Sequence, residues 1–67
     1  MMDYELRVRS ARVPDEVMTR YGLCDLATYG DVAVYQVPVE RGYRMAELES
    51  ALVAAGIPRE RITYTAL

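Results

Sequence analysis

Cys24 is the only cysteine in a chain of 67 residues, and no histidine accompanies it. An internal disulfide is therefore impossible, and so is a zinc cluster built from thiolates and imidazoles. A chain of this size buries only about 60% of the surface it exposes when unfolded. A single core below about 70–80 residues rarely supplies more than ~3–5 kcal/mol. With no covalent or metal staple, stability must come from one tightly packed hydrophobic core, with association as the remaining aid. The length allows one domain over residues 1–67.

Half of the residues are apolar (52%), which sets the chain apart from disordered or low-complexity polypeptides. No run approaches the ~18 apolar residues of a membrane span. Residues 1–9 alternate charged with apolar side chains, and no signal peptide is expected there. Secreted domains this small usually carry several disulfides, so a reducing cytoplasm is the expected compartment.

Hydrophobic periodicity switches several times along the chain. From Asp3 to Arg9 it is two: Tyr4, Leu6 and Val8 fall on one face, Glu5, Arg7 and Arg9 on the other, which predicts a half-buried strand. Val13 precedes Pro14 and should be extended. Pro14 suits a first helical position, and Asp15 and Glu16 suit a first turn, where carboxylates interact favourably with the helix dipole. Val17, Met18 and Tyr21 form a short apolar stripe, and Gly22 offers a left-handed stop. Leu23–Tyr29 reads as a strand entering a tight Gly30-Asp31 hairpin. Its alternative is a continuation of the first helix, at a cost of ~1 kcal/mol for Gly22.

Val32–Val39 is the strongest strand. Val32, Val34 and Gln36 share one face and Ala33, Tyr35, Val37 and Val39 the other, so both faces are expected to be covered. Pro38 cannot donate a ladder bond and should end the pairing. Glu40-Arg41-Gly42 reads as a loop. From about Arg44 to Ala55 the period becomes helical, with Met45, Leu48, Leu52 and Ala55 on the buried stripe. Gly56, Ile57 and Pro58 predict a Schellman stop in which Ile57 packs back on Leu52. Arg61–Leu67 reads as a strand with Ile62, Tyr64 and Ala66 inward.

The element order is β-α-β-β-α-β. It predicts an α+β two-layer sandwich, with a small, mostly antiparallel sheet and two helices on one face. That order is similar to the ferredoxin-like plait. A helical or irregular Leu23–Tyr29 would leave βαβαβ instead.

The side-chain inventory argues against catalysis. Histidine, the commonest general base, is absent, as is lysine for Schiff bases or phosphate loops. Asp15-Glu16 reads as a helix start, and Glu47 and Glu49, two apart on a helix, do not face each other. Cys24 has no neighbouring cation to stabilise a thiolate and is expected to be a small buried residue. Catalytic, cofactor and metal residues are all expected to be absent. The eight positive charges are all arginine against ten acids, a net charge of −2. Arg7, Arg9 and Arg12 form a basic stretch, but cross-strand ion pairs account for Arg7 and Arg9, and the net charge disfavours phosphate binding.

The six tyrosines are the whole aromatic content. Tyr4, Tyr21 and Tyr64 lie on inward faces. Tyr and Arg are the residue types most enriched at interface hot spots. Tyr35, Val37 and Val39 on the strand, with Arg41, Tyr43 and Arg44 around the Gly42 loop, are therefore the expected partner-binding residues. The expected function is a non-enzymatic module that docks on another protein or on its own copy as a homodimer: an adaptor, an assembly subunit, or an occluding inhibitor of the kind mobile elements encode. A plait-like RNA- or DNA-binding domain is the first alternative, and a small-ligand regulatory domain at a homodimer interface the second.

Overall fold

The computed structural model describes residues 3–38 and 44–66. Four antiparallel strands form one open sheet: β1 (Tyr4–Arg9), β2 (Cys24–Tyr29), β3 (Val32–Val37) and β4 (Ile62–Ala66), in the order β2-β3-β1-β4. Two helices, α1 (Asp15–Tyr21) and α2 (Met45–Ala54), complete an α+β architecture, and a 3₁₀ turn at Arg59–Arg61 leads into β4. Cys24–Tyr29 is a strand, so the three-stranded alternative does not apply. Val39, Arg41 and Tyr43 lie outside the described residues.

Both helices share one face of the sheet. Leu6 and Val8 of β1, Ala33, Tyr35 and Val37 of β3, and Ile62 of β4 pack in a single buried cluster with Val17 of α1 and Leu48 and Leu52 of α2. The register explains this set: Leu6 stands opposite Tyr35 and Tyr64, and Val8 opposite Ala33 and Ile62. Tyr4 and Tyr21 pack against the rim of the cluster. Tyr64 has the expected face but remains 38% exposed, because β4 is an edge strand. Its ring meets Tyr4 edge to face, with centroids 6.1 Å apart.

The helix ends follow their local chemistry. α1 has only seven residues and no side-chain cap; a helix this short depends on tertiary packing. Pro14 is its N-cap, at φ −61° and ψ 149°, one position before the helical site expected of it. Gly22 takes φ 68°, and the Leu23 N–H donates to the Met18 carbonyl, closing a Schellman turn. The same motif ends α2, where Ile57 N–H donates to Leu52 and Gly56 N–H to Val53, and Ile57 is buried beside Leu52.

Tyr35 sits in the core and not on a docking surface. Its side chain is 1% exposed, and its hydroxyl accepts the Val13 N–H at 3.1 Å. This bond lets a tyrosine replace a phenylalanine in the interior and ties β3 to the connection before α1. Val37 is equally buried at 1%. β3 lies between β2 and β1, so both its edges are already paired, and it offers no edge for self-association through Val32–Val37. Arg44, the one described member of the expected loop cluster, is exposed at the start of α2, where its N–H donates to the Glu47 carboxylate.

Ser10 is the one non-glycine among the described residues with positive φ, at 58°. Its N–H donates to the Asp31 carbonyl at 2.7 Å and its hydroxyl to the Asp31 carboxylate at 3.0 Å, which together hold the left-handed conformation. A β-branched residue is poorly tolerated there. Ser10→Val is expected to cost about 1–2 kcal/mol in urea unfolding, whereas Ser10→Asn stays near the parent. Equal midpoints for both variants would contradict this account.

Candidate functional site

The face of the sheet away from the helices is organised in rows set by strand register. Thr65, Glu5, Gln36 and Cys24 stand side by side across β4, β1, β3 and β2. The next row is Thr63, Arg7, Val34 and Ala27. The third holds Arg9, Val32 and Tyr29, and the turn before β4 brings Arg61 to the same end. Alternation along β1, β3 and β4, together with the register shift between Asp25 and Ala27 in β2, puts the strand residues of these rows on the face opposite Leu6 and Tyr35.

This face is neither uniformly polar nor covered. Val34 is buried at 4% yet lies outside the main core cluster. In register it is flanked by Arg7 and Ala27, and an arginine stem covers apolar surface while its guanidinium stays in water. Tyr29 is 67% exposed. Cys24 is exposed too, contrary to the expected burial, because it opens an edge strand on the helix-free side. The expected cross-strand ion pairs are absent among the described residues. Arg7 pairs along its own strand with Glu5 at 2.6 Å, and its cross-strand neighbours are Val34 and Thr63; Arg9 faces Val32.

Arg7, Arg9, Val32, Glu60, Arg61 and Thr63 line a shallow concavity of about 290 Å³ at this end of the face. Three arginines and one glutamate thus contribute to its lining. Arg12, adjacent in sequence, is not part of it. Its guanidinium reaches the other face of β2, donating to Asp25 at 2.7 Å and to Thr28 at 3.3 Å. A second concavity of about 270 Å³ lies between α1 and α2, lined by Val17, three alanines, Glu16 and Arg20. It is a small-residue groove without reactive groups.

The basic stretch seen in sequence is therefore divided, and Arg61 joins Arg7 and Arg9 from about fifty positions away. Alternation places Val32 and Val34 on a shared face but does not set them beside Arg7 and Arg9, because that adjacency depends on the β1–β3 register. Arg61 gives no local signal. Tyr29 is visible in the sequence only as a tyrosine without a core assignment.

Among the described residues no three of Cys, Asp and Glu gather closely enough to hold a metal ion. No described helix is long and apolar enough to cross a membrane. No family model matches the chain, and neither a curated protein nor a solved structure matches it.

Proposed function

We propose that this chain is a non-enzymatic module that docks on another protein through the helix-free face of its sheet. The observation that carries this reading is the row Arg61, Arg9, Val32 and Tyr29, with buried Val34 beside it. Exposed tyrosine and arginine around an apolar centre is the composition of interface hot spots. A standard interface takes about 800 Å² from each partner, roughly a fifth of this chain's 4289 Å² surface, so one face of so small a domain is enough. The strand order β2-β3-β1-β4 with both helices on one side supports a ferredoxin-like reading of the fold. The exposed, unpaired Cys24 supports a reducing, cytoplasmic setting. Docking of this kind acts sterically, as in an adaptor, an assembly subunit or an occluding inhibitor.

Affinity capture from the source cells, with nuclease treatment, tests this. Tyr29→Ser is expected to lower retention of the captured protein at least tenfold, about 1.4 kcal/mol or more. Val53→Ser, at an exposed position on α2, should retain it. Capture that disappears with nuclease, or that follows Val53 and not Tyr29, would overturn the proposal. A mass of twice 7.6 kDa by light scattering, abolished by Tyr29→Ser, would make the partner a second copy.

A further inference from the structure

We infer that the concavity bounded by Arg7, Arg9 and Arg61 receives carboxylates from an acidic segment of the partner protein. This rests on the docking reading above and names the chemistry of the partner at one end of that face.

The charge arrangement is local. The whole chain carries −2, yet the lining of this concavity includes three arginines against Glu60. Glu5 offsets Arg7 alone. Arg9 and Arg61 are exposed, and neither has an ion pair among the described residues. Their mutual repulsion is weak in water, so the free protein tolerates it. An incoming carboxylate would relieve it.

Guanidinium chemistry favours such a ligand. Each arginine presents a planar fork that binds a carboxylate through two parallel hydrogen bonds. Arg7 and Arg9 are two apart on β1, so their backbones stand roughly 6.5–7 Å apart on one face. Acidic side chains two apart on an extended segment have the same pitch. Val32 and Thr63 complete the lining, giving a methyl surface and a hydroxyl beside the cations.

Nucleic acid fits less well. Binders of single strands stack bases on aromatic side chains, with the rings of plait-like domains on the sheet surface. On this face the two central strands present Glu5, Arg7, Arg9, Val32, Val34 and Gln36, with no ring among them. Tyr29 is at the edge. A long polyanion would also extend beyond the patch onto a surface that is acidic on balance, whereas a short acidic segment need touch only the patch.

The test is an NMR titration at fixed salt, reading backbone amides and arginine Nε–H groups. The probes are an octapeptide alternating Glu and Thr, its Gln-Thr counterpart, a ten-nucleotide single-stranded RNA, and inorganic phosphate. The Glu-Thr peptide is expected to shift Arg7, Arg9, Arg61 and Thr63, with affinity falling as salt rises and no matching response to the Gln-Thr peptide. Arg9→Gln with Arg61→Gln should weaken it at least tenfold while leaving the melting temperature unchanged. Arg20→Gln with Arg59→Gln removes the same charge elsewhere and should leave binding intact. Equal weakening by both pairs, or no shift in these residues, would overturn the site. RNA binding more tightly than the peptide would replace the acidic partner with a nucleic acid. Phosphate binding as tightly as the peptide would reduce the site to a small-oxyanion pocket. Partner capture that is lost with Tyr29→Ser but survives the Arg9 and Arg61 changes would retire this inference and leave the docking reading standing.

Discussion

Tyr35→Ala is expected to leave the chain unfolded at room temperature, with no cooperative thermal transition. Tyr35 is the largest of the fully buried side chains among the described residues. It stands at the middle of the sheet, opposite Leu6 on β1 and Asp25 on β2. Truncating a buried aromatic costs about 3–5 kcal/mol. Loss of the hydroxyl also strips the Val13 N–H of its acceptor, and a buried unsatisfied donor costs about 1–3 kcal/mol more. A core of this size supplies about 3–5 kcal/mol in total, so a combined cost of about 4–8 kcal/mol uses up or exceeds what is available. Tyr35→Phe separates the two contributions. It keeps the ring and removes only the acceptor, and should remain folded with a melting temperature lower by roughly 5–15 °C. A Phe variant as stable as the parent would show that the Val13 N–H finds another acceptor.

Leu6→Ala is the second large effect, and Leu26→Ala is its internal control. Both leucines lie within strands of the same sheet. Leu6 is 0% exposed on central β1, between Tyr35 and Tyr64, whereas Leu26 is 50% exposed on edge strand β2. Removing the Leu6 side chain should cost about 2–5 kcal/mol through lost transfer energy and the cavity left behind. Removing that of Leu26 should change stability by no more than about 0.5 kcal/mol. Urea unfolding followed by circular dichroism reads both. Similar midpoints for the two variants would mean that the helices do not cover the Leu6 face.

That comparison also marks where sequence patterning stops being informative. Alternation places Leu6 correctly because β1 alternates without interruption from Tyr4 to Arg9. β2 does not: its pairing with β3 shifts register between Asp25 and Ala27. An extra residue in a strand reverses the facing of every residue after it, so alternation could not tell that Leu26 would be exposed. The expected burial of Cys24 fails for a related reason. Cysteine is usually buried, but edge position and facing belong to strand order, and strand order is not a local property. The stops at Gly22 and Gly56 are readable because each depends on a few adjacent residues.

Tyr35 shows a different limit. Alternation puts it with Ala33 and Val37 on one face of β3, and that grouping holds. The hydroxyl makes it a surface candidate, since buried phenols need a partner. The partner is a backbone N–H twenty-two positions earlier, just before a proline, and nothing near Tyr35 signals it. The candidate face has the same character. Arg7 and Arg9 are legible as outward charges, but their proximity to Arg61 depends on β1 pairing with β4 across most of the chain. Local chemistry names the residues, and long-range register makes them a group.

The position of β1 between β3 and β4 has a consequence for folding. Tyr4 pairs with Ala66 and Val8 with Ile62, so one flank of β1 is completed by residues 54–62 positions further along the chain. Closing so long a loop costs entropy before any contact offsets it, and sheets rich in such pairings fold slowly. Until β4 docks, the flank of β1 that it will occupy presents unpaired backbone groups, which are able to join a strand from another chain. The interval before residues 62–66 pair with β1 is therefore when this domain is most exposed to mispairing.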